Sequence, residues 1–328
     1  MAELLVNTNA VCRNYSYYEK FGRVIPMLKA NGYGMGAVRL MELLKERKGA
    51  SLVSCSRPEE ALELAGHGVD VMLLSCQDGP ELLSDLVENR VILGVESISQ
   101  AKAVQALGVP ARVQIAVDTG LGRFGFQPSQ IGEMQALFDL KGISVYGIYS
   151  HLADSGQEAQ LSRFQQVLAA LQAYPVGLRH IASTHSAVRE GFPMDAIRVG
   201  SGLTGLVHGL TPAAVLTGRI VSLRRMKKGT AVSYSGVRLK RDTDMAIIDV
   251  GTADGAFTYR SSGPRTWLAS KRQTVTVNGK EAPLLGYPGL THTAIDVTDI
   301  PCRAGERVTA HQSPVMVSGS VPRIYVEE

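Results

Sequence analysis

The chain has 328 residues, which is long for a single hydrophobic core, so this length favours one large α/β domain followed by a smaller one. Hydrophobic residues make up 45% of the chain and charged residues 20%, as in an ordinary globular protein. The net charge is only +4 and no basic stripe is present, which excludes nucleic acid as an expected partner. No apolar stretch reaches the roughly 18 residues of a spanning helix, so no membrane association is expected.

The cysteines and the N-terminus indicate a reduced, cytoplasmic protein. Cys12, Cys55, Cys76 and Cys302 are far apart and match no metal or redox spacing. The N-terminal segment lacks the positive region and apolar core of a secretory signal. His292 and His311 lack the neighbouring Cys or His ligands of a metal site, so we expect none.

Eight short apolar runs, separated by amphipathic segments, occupy the first two thirds of the chain. They span residues 24–28, 51–55, 71–75, 91–95, 112–117, 144–150, 179–183 and 196–200. Between them, segments such as residues 37–49 place apolar residues at i, i+3 and i+4, and Ser56 before Pro58 is predicted to cap another helix. Apolar strands alternating with helices predict a parallel sheet covered on both faces. A count of eight favours a closed (β/α)₈ TIM barrel over an open doubly wound sheet.

The sequence pattern changes after about residue 210, where short β-rich runs are separated by turn signals such as Asn278-Gly279. These runs are residues 231–235, 245–251, 265–270, 273–280, 282–286, 293–297, 307–312 and 323–328. No helical pattern remains, so a C-terminal all-β domain is predicted. We expect a barrel over residues 8–210 and a β domain over residues 211–328, with residues 1–7 pairing with the β domain.

Polar residues follow five of the predicted barrel strands, at the end where barrel enzymes carry their chemistry. They are Lys29, Arg123, His151, His185, Ser186, Arg198, Gly200, Ser201 and Gly202. A lysine at an apolar strand end loses hydration, which lowers its pKa and makes the amine available as a Schiff-base nucleophile. A Ser/Gly loop after the last strand suits a phosphate. Both parts fit a pyridoxal phosphate enzyme, and a sugar-phosphate aldolase would use the same two.

The segment "KANGYGMG" resembles the lysine signature of the alanine racemase family. The resemblance continues, in the family's order, through "VDTGLGRFG", "YSHLA", "STHSA", "IRVGSGLTGL", "AVSY", "VGTADG" and "VPRIY", and it covers nearly the whole chain. It implies an N-terminal barrel with a C-terminal β domain, bound pyridoxal 5'-phosphate, and a head-to-tail homodimer with shared active sites. The implied activity is that of an isomerase that racemises amino acids.

The resemblance also implies roles for individual residues. Lys29 would hold the cofactor as a Schiff base and act as one catalytic base, and Tyr234 of the partner subunit would be the second. His151 would hydrogen-bond that tyrosine, and Arg198 would face the pyridine nitrogen. The residues around the phosphate would be Tyr33, Ser186, Gly200 and Ser201. Arg123 would lie near the substrate carboxylate, with Leu290 and Thr291 also lining the substrate site.

Several positions depart from the family pattern. Met35 replaces a histidine, and Ala116 replaces a lysine that is carbamylated in many members. Thr252 and Gly319 each replace a tyrosine. Leu290 and Thr291 replace a Met-Asp pair. Without the carbamylated lysine, Arg123 lacks the support it has in those members. The loss of two tyrosines predicts a wider mouth and an amino-acid substrate larger than alanine, with a polar or basic side chain.

Three alternatives share the cofactor. A decarboxylase of this fold needs an acidic residue at the ring nitrogen, where this chain has Arg198, and a lyase needs a metal cluster in the β domain. A non-catalytic protein that binds pyridoxal phosphate would be a single-domain barrel, which the β domain and Tyr234 oppose. We therefore predict a pyridoxal-phosphate-dependent amino-acid racemase that uses Lys29 and Tyr234 as its two bases.

Overall fold

The computed structural model describes residues 1–75, 80–190, 194–207, 209–257 and 273–327. Cys76 and the run at residues 265–270 therefore lie outside the described residues. The chain divides into two compact units, one formed by Ala10–Thr211 and the other by Met1–Asn9 with Pro212–Glu328. Within the described ranges, no helix combines the length and the apolar character that crossing a bilayer requires.

In the described part of the first unit, the framework consists of eight parallel strands. They are β2 (Arg23–Pro26), β3 (Leu52–Cys55), β4 (Asp70–Leu73), β5 (Ile92–Val95), β6 (Ala111–Ala116), β7 (Ile143–Tyr149), β8 (Leu178–His180) and β9 (Ala196–Val199). Strands β3 to β8 pair in chain order, and β2 pairs with β9. A bridge from Met27 to Ser54 joins β2 to β3, and one from Ser183 to Arg198 joins the end of β8 to β9. The strands therefore curl into a barrel, and the predicted fold class is confirmed.

Helices connect the barrel strands. They are α1 (Thr8–Glu19), α2 (Lys29–Tyr33), α3 (Ala37–Lys48), α4 (Pro58–Leu64), α5 (Pro80–Glu88), α6 (Ile98–Ala106), α7 (Ile131–Ala136), α8 (Gln157–Ala170) and α9 (Thr184–Glu190). Helix α4 begins one residue later than expected, after Arg57, so the prediction that Ser56 caps it is wrong. The Glu60 carboxylate, on the third residue of the helix, reaches back and accepts the N–H groups of both Ser56 and Arg57 at 3.2 Å.

The barrel interior changes from apolar to polar along the strands. An apolar cluster joins Ile25, Leu52, Met72, Ile92 and Ala196, which come from five different strands. Buried polar side chains occupy other strand positions, several of them at or near the carboxyl ends: Ser54, Gln114, Ser150, His180 and Arg198. Because buried polar groups need hydrogen-bond partners, this end of the barrel is where a network is expected.

The second unit contains β-strands and short 3₁₀ turns. The strands are β1 (Glu3–Asn7), β10 (Ala214–Met226), β11 (Ala231–Val232), β12 (Val237–Arg238), β13 (Thr243–Ile248), β14 (Thr274–Val277), β15 (Lys280–Pro283), β16 (Thr293–Asp296), β17 (Arg307–Ala310) and β18 (Arg323–Val326). Strand β10, which the sequence analysis missed, is central because it pairs with β1, β13 and β17. Strand β1 also pairs with β18 in parallel, so the first residues of the chain belong to this sheet.

Among the described cysteines, Cys12, Cys55 and Cys302 are free thiols. Cys55 is completely buried at the end of β3, and burial raises the pKa of its thiol. A thiol with a raised pKa is a poor nucleophile, so Cys55 serves as a small apolar residue in the barrel wall.

Candidate active site

Lys29 follows β2 and opens a turn of unusual handedness. Ala30, Asn31 and Gly32 have φ of 52°, 53° and 62°, so α2 is a left-handed turn. A left-handed conformation costs non-glycine residues roughly 1–2 kcal/mol each, so other contacts must hold it. The Glu60 carboxylate accepts the N–H of Ala30 at 2.6 Å, and the Asn31 side chain accepts the N–H of Ala37 at 2.9 Å. Glycine is favoured at position 32 because a Cβ there would lie 3.0 Å from Leu40 Cδ1 and 3.2 Å from the backbone of Ala37.

The environment of the Lys29 amine favours its neutral form. Burial lowers its pKa, and the positive charges of Arg123 and Arg198 lower it further, while Glu60 opposes the shift. The Nζ atom lies 5.8 Å from the centre of the Tyr33 ring. Lys29 is therefore placed as an amine nucleophile or base at the carboxyl end of β2.

Tyr33 and the loop after β9 form one wall of the site. A Cβ on Gly200 would lie 2.4 Å from Tyr33 Cε2, so the tyrosine ring can rest here only against a glycine. The Thr184 hydroxyl accepts the N–H groups of Gly200 at 3.2 Å and Gly202 at 3.3 Å, which fixes the loop before the 3₁₀ turn Ser201–Thr204.

Ser186 and Ser201 lie beside this wall. The Ser186 hydroxyl accepts the N–H of Ser183 at 2.8 Å and lies in the first turn of α9. The Ser201 hydroxyl makes no hydrogen bond to the parts of the chain that are described. Two hydroxyls at the starts of short helical turns are suitable donors for an anion.

Arg198 is the centre of a buried hydrogen-bond network. Its Nη2 lies 2.7 Å from the Ser150 carbonyl, 3.1 Å from His151 Nδ1 and 3.2 Å from the Ile181 carbonyl. Its Nη1 contacts His180 Nδ1 and the His180 carbonyl. Within the described residues, none of these partners is a carboxylate and Nε has no partner. Burial lowers the pKa of Arg198 to about 10, so it remains a cation at neutral pH.

Both histidines beside Arg198 are neutral. Burial and the nearby cations, Arg198 first, lower the pKa of His151 to about 3. Burial and Arg198 also hold the pKa of His180 well below its usual value. Because an arginine only donates, both Nδ1 atoms are acceptors and both Nε2 atoms carry the ring proton. The His151 ring therefore offers an N–H to a further group.

Arg123 lies in the loop that follows β6. The Asp118 carboxylate accepts the N–H groups of Gly120 at 2.9 Å and Gly122 at 3.0 Å, which shapes this loop. The Arg123 guanidinium is exposed, packs 5.5 Å from the centre of the Phe124 ring, and has no ion-pair partner among the described residues. It lines a cavity of about 810 Å³ together with Glu96 and Asp118.

Three predicted site residues belong to the β unit. Tyr234 is 89% exposed on the turn between β11 and β12, and Leu290 is 72% exposed. The Ser233 hydroxyl donates to the Tyr287 carbonyl at 2.6 Å, which anchors the turn. Thr291 is exposed and its hydroxyl lies 3.0 Å from His292 Nδ1. A Cβ on Gly289 would lie 3.6 Å from the Tyr234 ring, so these two loops are neighbours.

The structure thus brings together two groups in the barrel unit: Lys29 with Tyr33 and Gly200, and Arg198 with His151. Sequence reasoning did not find Gln114, Tyr149, His180, Thr184 or Glu60, which support these groups. Gln114 and His180 were detectable as polar residues within apolar runs. Within the described residues, no group of three or more His, Cys, Asp or Glu side chains could hold a metal ion.

Comparisons with known proteins agree along the chain. The family model "Alanine racemase, N-terminal domain" matches residues 6–208, and "Alanine racemase, C-terminal domain" matches residues 213–321. An alanine racemase of Desulforamulus reducens is 32% identical over 347 residues, which cover 96% of this chain and 89% of that protein.

Solved structures give the same result. The alanine racemase of D-cycloserine-producing Streptomyces lavendulae superposes with a TM-score of 0.86 and 26% identity, covering 100% of this chain and 97% of that one. An alanine racemase of Bartonella henselae, described with covalently bound pyridoxal phosphate, has a TM-score of 0.82 and 23% identity, with 99% of each chain covered. At this identity the second likeness concerns the fold.

Proposed function

This chain belongs to the alanine racemase family, and we propose its function from that membership. Alanine racemases are pyridoxal-phosphate-dependent enzymes. We infer that this chain is an amino-acid racemase, that Lys29 and Tyr234 are its two bases, and that its substrate is larger than alanine.

The residues of the barrel unit fit the cofactor. When bound, its ring takes up the electrons left on the substrate Cα after a proton is removed. The Lys29 amine, with its lowered pKa, is suited to hold the cofactor aldehyde covalently. Tyr33, Ser186 and Ser201 would hold the phosphate, and Gly200 gives the tyrosine ring the space to lie there.

Arg198 has one donor to spare for the pyridine nitrogen. Both Nη atoms are occupied by carbonyls and histidines, whereas Nε has no partner within the described residues. Because Arg198 keeps its own proton, it would donate a hydrogen bond to the pyridine nitrogen and keep that nitrogen unprotonated. An unprotonated ring is a weaker electron sink, which restrains side reactions such as transamination.

Racemisation needs one group to remove a proton from one face of Cα and another to return it on the other face. Lys29 would serve one face. The other base would be Tyr234 of the partner subunit in a head-to-tail homodimer, and its 89% exposure on an anchored turn supports a role outside its own chain.

A phenol has a pKa of about 10 and is a weak base at neutral pH unless its phenolate is stabilised. His151 can supply that stabilisation. Its Nδ1 accepts from Arg198 at 3.1 Å, so its Nε2–H is free to donate to the phenolate oxygen. Arg198 adds a positive charge directly behind the imidazole.

The substrate carboxylate would meet Arg123, whose guanidinium has no carboxylate partner within the described residues. Glu96 and Asp118 lie on the wall of the open cavity that Arg123 also lines, and their carboxylates support a substrate with a polar or basic side chain. Leu290 and Thr291 are proposed as further substrate-binding residues.

The observation that carries the proposal is the hydrogen bond from Arg198 to His151, which leaves one N–H on each for the cofactor and the second base. The test incubates the protein and pyridoxal phosphate with L-alanine, serine, lysine, ornithine and arginine separately in D₂O. Deuterium at Cα with formation of the D-enantiomer, and a higher kcat/KM for a larger amino acid than for alanine, is expected.

Release of CO₂ or ammonia would replace this proposal with a decarboxylase or lyase, and absence of exchange with every amino acid would favour a non-catalytic protein. A preference for alanine would refute the larger substrate alone. Tyr234→Phe should lose racemisation, because it removes the proposed second base. Tyr174→Phe, which alters a tyrosine that packs on Phe138, is its matched control and should keep full activity.

A further inference from the structure

A buried glutamine in the barrel uses only one end of its amide. Gln114 is completely buried in β6, and its Oε1 lies 2.9 Å from His180 Nε2. Its Nε2 has no hydrogen-bond partner within the described residues. An unsatisfied buried donor costs about 1–3 kcal/mol. The hydrogen bond between the amide oxygen and His180 must therefore offset this cost.

Arg198 fixes the direction of that contact. A guanidinium can only donate, so His180 Nδ1, which Arg198 Nη1 contacts, must present its lone pair. A neutral imidazole with an acceptor at Nδ1 carries its hydrogen on Nε2. Gln114 must then offer its carbonyl oxygen, and a reversed amide would set N–H against N–H. The hydrogen bonds therefore run from Arg198 to His180 and from His180 to Gln114.

The charge of the side chain at position 114 is as important as the direction of its hydrogen bond to His180. His180 is completely buried, Tyr149 stacks on its ring with centroids 5.4 Å apart, and Arg198 is the charged group that faces it. Burial raises the pKa of Tyr149, so that neighbour stays neutral. A carboxylate at position 114 would favour the imidazolium, whose Nδ1–H would oppose Arg198. An apolar side chain would leave Nε2–H without an acceptor.

We infer that Gln114 is a positioning residue that locks His180 in the tautomer protonated on Nε2, so that the ring can hold Arg198 through Nδ1. A neutral acceptor at position 114 accepts the Nε2–H and leaves the imidazole uncharged. The guanidinium is thereby held from the β8 side by His180, and from the β7 side by His151 and the Ser150 carbonyl. In this position Arg198 would direct its Nε–H at the cofactor, and only this consequence rests on the proposed function.

The test is nuclear magnetic resonance of the full chain labelled with ¹⁵N at histidine, recorded without cofactor and assigned with His180→Gln. Two-bond ¹H–¹⁵N correlations distinguish the two neutral tautomers and the imidazolium. The wild-type protein is expected to show His180 protonated on Nε2 only, without change between about pH 5 and 9. A wild-type His180 protonated on Nδ1 would overturn the inference before any variant is made.

Gln114→Glu should convert His180 to the imidazolium at neutral pH, and Gln114→Leu should produce a mixture of tautomers. Gln160→Glu is the matched control, because Gln160 is also buried in the barrel unit but bonds the backbone of Ala153 and His151. Its His180 signals should match the wild type. Unchanged signals in Gln114→Glu, or equal changes in Gln160→Glu, would overturn the inference. Failure to bind pyridoxal phosphate would refute the proposed function and leave this result standing.

Discussion

Replacing Glu60 with alanine should release the left-handed turn that carries Lys29. The carboxylate accepts three N–H groups, those of Ala30 at 2.6 Å and of Ser56 and Arg57 at 3.2 Å each. A hydrogen bond to a charged group contributes about 1.5–3 kcal/mol net. Ala30 and Asn31 in the left-handed region cost together about 2–4 kcal/mol, so the bond to Ala30 offsets a large part of the strain.

We therefore expect Glu60→Ala to lower the free energy of unfolding by about 2–3 kcal/mol, with the Ala30 bond as the main loss. The variant should also weaken cofactor binding by about tenfold or more, because the lysine would no longer be held in place. Urea unfolding followed by circular dichroism gives the first quantity, and titration with pyridoxal phosphate followed by absorbance gives the second.

Glu59→Ala is the matched control. Glu59 is the exposed neighbour in the same first turn of α4, so its removal costs the helix a similar dipole interaction of about 0.5 kcal/mol. The reasoning fails if the two variants unfold at the same urea concentration and bind the cofactor equally.

Three further outcomes are expected. Gly200→Ala should reduce cofactor affinity by about tenfold or more, because its Cβ would overlap the Tyr33 ring. Gly132→Ala, which has open space around it, should not change the affinity, and a cofactor titration of both variants measures the difference. His151 has a folded pKa of about 3 against an unfolded value near 6.5, so its neutral form adds stability that is full above the unfolded pKa and is lost as the pH falls towards the folded one. His151→Asn should reduce the slope of unfolding free energy against pH in that window by up to about 1.4 kcal/mol per pH unit, and an unchanged slope would show that His151 is not buried in its neutral form. Replacing Thr252 and Gly319 together with tyrosine should lower kcat/KM for the preferred larger amino acid relative to alanine by about tenfold. An unchanged ratio would show that these two positions do not set the substrate preference.

The barrel was predictable because its signal is local. Each of the eight apolar runs overlaps a strand of the structure, and Gly49 ends α3 with φ of 65° as its position after the last turn predicts. Strand β10 gave no such signal, because its second half is exposed and carries Arg224 and Arg225. Exposed strand positions tolerate any polar residue, so their composition does not mark them.

The supporting residues of the site were harder to predict because their roles come from pairings between distant strands. Gln114 and His180 are 66 residues apart, and nothing near either in the sequence indicates the other. Glu60 likewise holds Ala30, which is 30 residues away, and no local pattern indicates that contact. The left-handed form of the turn after Lys29 also depends on such tertiary contacts.

The central claim is that two different bases serve the two faces of the substrate Cα. Its most direct test measures Cα deuterium exchange in D₂O for each enantiomer separately, in the wild-type protein and in Tyr234→Phe. The account predicts that the wild type exchanges both enantiomers, and that the variant keeps exchange with one and loses it with the other. Equal exchange of both enantiomers by Tyr234→Phe would contradict it.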